Sequence, residues 1–170
     1  MQNTVPGRFL LFILLIILQI TLFDKIHLFG FATPLLYIYF ILKLPGNMNR
    51  ILVLFLSAIL GLSIDWFSHT LGINMLACVV IGFFRSFLLN WLTPRDLVEN
   101  YSLSFSTFGV RTFLRYAFIT TLIHHTILFT TEYLSFFDPL ALIFRITGSV
   151  ILTVILIFAC ESINLGVSRR

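Results

Sequence analysis

Residues 51–92 read ILVLFLSAILGLSIDWFSHTLGINMLACVVIGFFRSFLLNWL. Two apolar runs, Ile51–His69 and Ile73–Leu92, are parted only by a tight turn at Leu71-Gly72. Each run is close to the ~20 residues that carry a helix across a hydrocarbon core of ~30 Å. Two such runs on either side of a glycine turn predict a transmembrane hairpin. Within the first run, Ser57, Gly61 and Asp65 recur at i, i+4 and i+8 and so share one helix face. Small residues on one face let a neighbouring helix come close.

The rest of the chain has the same character. Its hydrophobic fraction is 59%, its mean hydropathy is +1.03, and 170 residues carry only 11 Lys and Arg and 7 Asp and Glu. That composition cannot furnish the polar exterior of a soluble domain. Six apolar segments are expected, at about 5–23, 31–44, 51–69, 73–92, 113–133 and 140–159. The second is the shortest, and Pro34 within it predicts a kink or a helix that starts after an irregular stretch. The fold class that follows is all-α: a polytopic bundle of six transmembrane helices forming a single domain over residues 1–170. Arg8 before the first run is compatible with a secretory signal. Leu22-Phe23-Asp24-Lys25 follows where small cleavage-site residues belong, so the run reads as a retained helix.

Basic residues set the expected orientation. With both termini cytoplasmic, Arg8, Lys43, Arg50, Arg85, Arg95, Arg111, Arg115, Arg169 and Arg170 fall in or beside cytoplasmic segments, and only Lys25 and Arg145 fall outside. A loop over 93–112 is then cytoplasmic. It opens on Thr93-Pro94-Arg95-Asp96, which reads as the capped start of a short interfacial helix through about Tyr101. Ser102–Gly109 reads as irregular. Trp66, Trp91, Tyr101, Tyr116 and Tyr133 lie near predicted span ends, the depth that amphipathic rings favour. The basic balance points to anionic lipid headgroups; no basic run is long enough to follow a nucleic acid.

Ionisable residues inside the spans are costly and normally face the bundle interior. Counted at 1.5 Å per residue, Asp65, His124, His125 and Arg145 reach similar heights in the outer half. The expectation is a polar cluster in which Asp65 neutralises Arg145 beside one of the two histidines. Consecutive histidines point about 100° apart and do not chelate one metal together. Gln19 can bond across a helix interface. Glu161, near the inner end of the sixth span, is expected to reach water, and Glu132 and Asp138 to be solvated at the outer rim. Cys78 and Cys160 match no metal-ligand spacing and read as packing residues. No nucleophile elbow or phosphate-binding glycine loop is present. No catalytic residue and no cofactor is therefore expected.

Several local patterns resemble one family. Gly61-Leu62-Ser63-Ile64-Asp65, then Ser68 and Leu71-Gly72-Ile73-Asn74, resembles the signature region of MreD, the rod shape-determining membrane protein. Leu18-Gln19 with Leu22-Phe23 looks like its first helix, and Phe31-Ala32-Thr33-Pro34 like the approach to its second. Thr93-Pro94-Arg95-Asp96 looks like the Bacteroidetes-type variant. Beyond Asp96 the resemblance carries little signal and assigns no role to His124, His125 or Arg145. It implies a non-enzymatic subunit of the bacterial inner membrane, with MreC, the MreB filament and the RodA–transpeptidase peptidoglycan synthase as partners. It also implies a fold related to the substrate-binding subunits of vitamin transporters. On the same grounds Gly61, Asp65 and Gly72 match the family motif and are expected to shape the bundle for docking, with Gln19, Pro34, Pro94, Arg95 and Asp96 as further motif and packing candidates. The alternative reading is a small-molecule binding or transport subunit with a pocket near Asp65, His124 and Arg145.

Overall fold

The computed structural model describes residues 5–25, 32–92, 103–132 and 138–168. They form helices α1 (Val5–Thr21), α2 (Ile38–Lys43), α3 (Arg50–Ser68), α4 (Ile73–Leu92), α5 (Phe105–Phe108), α6 (Val110–Glu132) and α7 (Pro139–Ser168), with a single 3-10 turn at Phe23–Lys25 after α1. Among the described residues, four segments are helical, long and apolar enough to cross a membrane: Pro6–Lys25, Arg50–Ser68, Ile73–Leu92 and Pro139–Asn164. At 1.5 Å per residue α3 and α4 are each close to 30 Å long, matching a bilayer core. The architecture is that of a multi-pass, all-helical membrane protein. Helix α6 has the length of a span, 23 residues, but its sequence is diluted by threonines, histidines and arginines.

The second apolar segment departs from the expected span. It holds no membrane-length helix: residues 32–35 are extended, a turn follows, and α2 is only 6 residues long. Proline explains the start, because Pro34 has no N–H and disfavours helical geometry at Thr33. Side chains of distant helices take up the backbone instead. Thr33 N–H donates to Ser149 Oγ at 3.0 Å and Leu35 N–H to Thr153 Oγ1 at 3.0 Å. Leu36 N–H donates to Gln19 Oε1 at 3.0 Å, and Gln19 Nε2 donates back to the Pro34 carbonyl at 3.2 Å. Non-helical backbone persists at membrane depth only when protein surrounds it, and every residue from Ala32 to Leu42 is buried. Thr33, Leu35 and Lys43 meet Ser149, Thr153 and Glu161 in turn, so the segment runs parallel to α7. From Ser149 to Glu161 that is a rise of about 18 Å.

The hairpin of α3 and α4 packs as its small residues predict. A Cβ on Gly61 would lie 2.6 Å from both the Asn74 carbonyl oxygen and the Met75 nitrogen, and against Met75 Cα. Backbone therefore touches backbone at this crossing. One turn further, Gly82 faces Ser57, whose Oγ would be 2.7 Å from a Cβ at 82. The connecting turn uses two left-handed residues, His69 (φ 55°) and Gly72 (φ 81°).

Contacts sort the polar residues to two ends. Asp24, Ser68 and Asn74 gather at one, with Glu132 and Arg145; Lys43, Arg85, Phe105 and Glu161 gather at the other. Three of the aromatic residues expected near span ends are among the described residues. Trp66 and Trp91 are exposed on the helix surface, whereas Tyr116 is fully buried. Tyr101 and Tyr133 lie outside the described residues, as do Pro94, Arg95 and Asp96 and the helix expected there. The stretch expected to be irregular contains α5, closed by a capping box between Ser104 and Thr107 and anchored by buried Phe105 and Phe108.

Candidate functional site

Asp65 sits one turn before the end of α3 and is 3% exposed. Its Oδ1 accepts from the Thr70 hydroxyl and from Asn74 N–H and Nδ2, both at 3.0 Å. Its Oδ2 accepts from Met75 N–H at 2.8 Å. Asn74 and Met75 are the second and third residues of α4, whose N–H groups have no partner inside their own helix. The carboxylate is thus an N-cap supplied from the preceding helix. The positive end of the α4 dipole and its unpaired N–H groups face this side chain.

This arrangement corrects the expected Asp65–Arg145 pair, which does not form. The α4 N-terminus and Thr70 occupy the carboxylate. Arg145 lies instead with Nη2 3.8 Å from Glu132 and its guanidinium 4.9 Å from the Phe129 ring centre. Both residues border a cleft of about 380 Å³ at the Asp24 end, which Asn74 and Thr70 also line. Glu132, expected at a solvated rim, is 42% exposed. Asp138 caps α7, accepting from Leu140 and Ala141 N–H.

A chain of hydrogen bonds leads from Asp65 into the bundle. Tyr37 O–H donates to Asn74 Oδ1 at 2.7 Å, and the Tyr37 oxygen lies 3.2 Å from His124 Nε2. Since the phenol proton goes to Asn74, His124 is assigned the tautomer that donates from Nε2. Its Nδ1 has no partner among the described residues. Cys78 Sγ is 3.9 Å from the same Nε2. His125 turns away, as consecutive helix positions require. Its Nδ1–H donates to the Thr121 carbonyl at 2.9 Å, and Nε2 faces Thr153 Oγ1 at 3.2 Å. Both rings are fully buried. The residues expected to cluster are therefore joined in part: His124 reaches Asp65 through Tyr37 and Asn74, and His125 supports the extended segment through Thr153. No group of three His, Cys, Asp or Glu side chains among the described residues is placed to hold a metal ion.

A second polar centre, at the Lys43 end, escaped the sequence reading. Glu161 does not reach water; it is 1% exposed. It accepts from Tyr39 O–H at 2.6 Å, from Lys43 Nζ at 3.1 Å and from Phe105 N–H at 3.2 Å. Arg85, expected beside a cytoplasmic segment, is 1% exposed and among the bulkiest fully buried side chains of the described residues. Its Nη2 donates to the carbonyls of Leu44 and Pro45 just past α2, the latter at 3.0 Å. A cation there complements the negative end of a helix. The available signal was a charge set within an apolar run, but its depth alone gave no partner.

Gly61 and Gly72 serve the hairpin, Gln19 and Pro34 the extended segment. Comparison of the chain with protein-family models, curated proteins and solved structures finds no match.

Proposed function

We propose that the protein is a non-enzymatic scaffold subunit of the bacterial cell-elongation machinery, of the MreD type. It would sit in the inner membrane with six crossings and both termini cytoplasmic, and help organise peptidoglycan synthesis. MreC, the RodA–transpeptidase synthase and the MreB filament are its proposed partners. One observation carries the reading: the intramembrane polar groups hold the bundle's own segments. Asp65 caps α4, Gln19, Ser149 and Thr153 hold residues 33–36, and Glu161 ties α2 to α5 and α7. Buried groups engaged in this way fix a shape. The proposed orientation rests on the basic residues, which favour the cytoplasmic side. Purifying the tagged full chain from native membranes tests the proposal. Recovery of MreC and the synthase supports it; a preparation lacking both overturns it.

The cleft of about 380 Å³ beside Arg145 and Asn74 favours a second reading, a small-molecule binding subunit. A metabolite retained by wild type and lost from Asn74→Ala in native mass spectrometry supports that reading.

A further inference from the structure

At the Lys43 end of the hairpin, α3 and α4 form a surface groove of about 430 Å³ lined by Arg50, Phe83, Phe84, Ser86, Phe87 and Asn90. Phe83, Ser86, Phe87 and Asn90 follow at i, i+3, i+4 and i+7, so one outward stripe of α4 forms its floor. Arg50, the first residue of α3, reaches across and lays its guanidinium over the Phe83 ring, 4.3 Å from the centre. Stacking fixes the plane of the guanidinium and leaves its N–H edge free for an anion. Arg50 is solvent-exposed, and among the described residues no carboxylate lies within ion-pair distance of it. Asn90, two residues before the end of α4, adds an exposed amide on the same side. Phe83, Phe84 and Phe87 are each exposed by 44% or more, and continue the groove along the apolar hairpin.

We propose that this groove binds the headgroup of an anionic phospholipid. The phosphate sits between Arg50 and Asn90, and an acyl chain lies along Phe84 and Phe87. Charge complementarity favours a headgroup of net negative charge, because the phosphate of a neutral phospholipid is already balanced by its own ammonium group. The aromatic stripe selects a lipid over free phosphate, because three large rings facing outward have no use for an ion in water. The site does not depend on the scaffold assignment; it needs only a membrane around the hairpin.

The test uses the full chain reconstituted in nanodiscs of phosphatidylcholine with increasing phosphatidylglycerol, with bound lipid counted by native mass spectrometry after release. Wild type retains phosphatidylglycerol in preference to phosphatidylcholine. Arg50→Gln lowers that preference about five-fold, the factor matching ~1 kcal/mol for one basic residue at an anionic surface. Asn90→Ala lowers it less, and Arg111→Gln, at the exposed start of α6, leaves it unchanged. Circular dichroism and size exclusion confirm that each variant is folded. Four results each overturn the proposal: no preference in folded wild type, full preference in folded Arg50→Gln, an equal loss in Arg111→Gln, or a doubled mass without lipid, which would make the groove a contact with a second copy. Inorganic phosphate alone stabilising the detergent-solubilised protein as strongly as the lipid would also overturn it.

Discussion

Replacing Asp65 with alanine separates the two accounts of its charge. As the cap of α4, the carboxylate satisfies two backbone N–H groups, one hydroxyl and one side-chain amide, all in a nearly dry site. Losing an N-cap costs about 0.5–2 kcal/mol, and each buried donor left unpaired adds about 1–3 kcal/mol. Thr70 and the Asn74 amide can rotate towards each other, since they already lie 3.1 Å apart. The N–H groups of Asn74 and Met75 cannot. A loss of about 3–5 kcal/mol is expected for Asp65→Ala, near the range for breaking a buried charged interaction. Asp65→Asn keeps one acceptor oxygen but sets an NH₂ against an N–H, so it should lose about half as much. The deciding variant is Asp65→Ala with Arg145→Leu. If Asp65 mainly neutralised Arg145, removing the second charge would restore stability. With Asp65 as a cap, Arg145→Leu returns nothing. The assay is reversible unfolding of the detergent-solubilised protein, followed by helical circular dichroism. The capping account is refuted if the double variant recovers half or more of the loss, or if Asp65→Ala falls within ~1 kcal/mol of wild type.

Three further outcomes are expected in the same assay. Gly61→Ala places a methyl group against backbone atoms of Asn74 and Met75 that cannot rotate aside, so it should destabilise by about 1–3 kcal/mol or more; wild-type stability for this variant would refute the close crossing. Glu161→Ala leaves Lys43 and the Phe105 N–H without their acceptor and should cost about 3–5 kcal/mol, whereas Lys43→Met with Glu161→Leu should cost less than that single change. Gln19→Leu removes the side chain that meets both the Pro34 carbonyl and the Leu36 N–H, and faster amide exchange at Leu36 should report the loosening of that segment.

The long helices could be read from the sequence because the signal is local: an apolar run of sufficient length has one stable form in lipid. Residues 31–44 carry the same apolar signal and fold otherwise, and the reason is non-local. An extended segment inside a bundle requires donors and acceptors to meet its backbone, and here they come from Gln19, Ser149 and Thr153. Nothing in residues 31–44 announces a helix more than 100 positions away, or the amide of Gln19 on α1. Pro34 marked where the helix could not begin, but not what would replace it. The Asp65 face of α3 was readable in the same partial way. Spacing placed Ser57, Gly61 and Asp65 on the side that packs against α4. Depth then suggested a full charge, Arg145, as the counterpart of Asp65. A helix N-terminus is also an electropositive partner, and it lay only nine residues along the chain. Glu161 was misjudged for the opposite reason. It was placed by distance from a span end, where side chains normally reach water, yet α2 and α5 cover it.

The two ends of the bundle differ in how their charges are held, and the difference bears on function. At the Lys43 end, Glu161 and Arg85 are 1% exposed; Glu161 bonds α2 and α5, and Arg85 bonds the carbonyls of Leu44 and Pro45 just past α2. Moving α2 would break the Tyr39 and Lys43 bonds to Glu161 together, while the Phe105 N–H holds Glu161 from α5. At the Asp24 end, the Arg145–Glu132 contact is a loose 3.8 Å with both groups partly exposed, and a cleft opens between the helices. A transporter that alternates its access must rearrange segments on both sides of its site. Here the extended segment is bound to α1 and α7 by four hydrogen bonds and is locked by Lys43 below. Any ligand entering the cleft would therefore meet a floor that holds its position. Such a site suits recognition at one face, in keeping with the scaffold role proposed above.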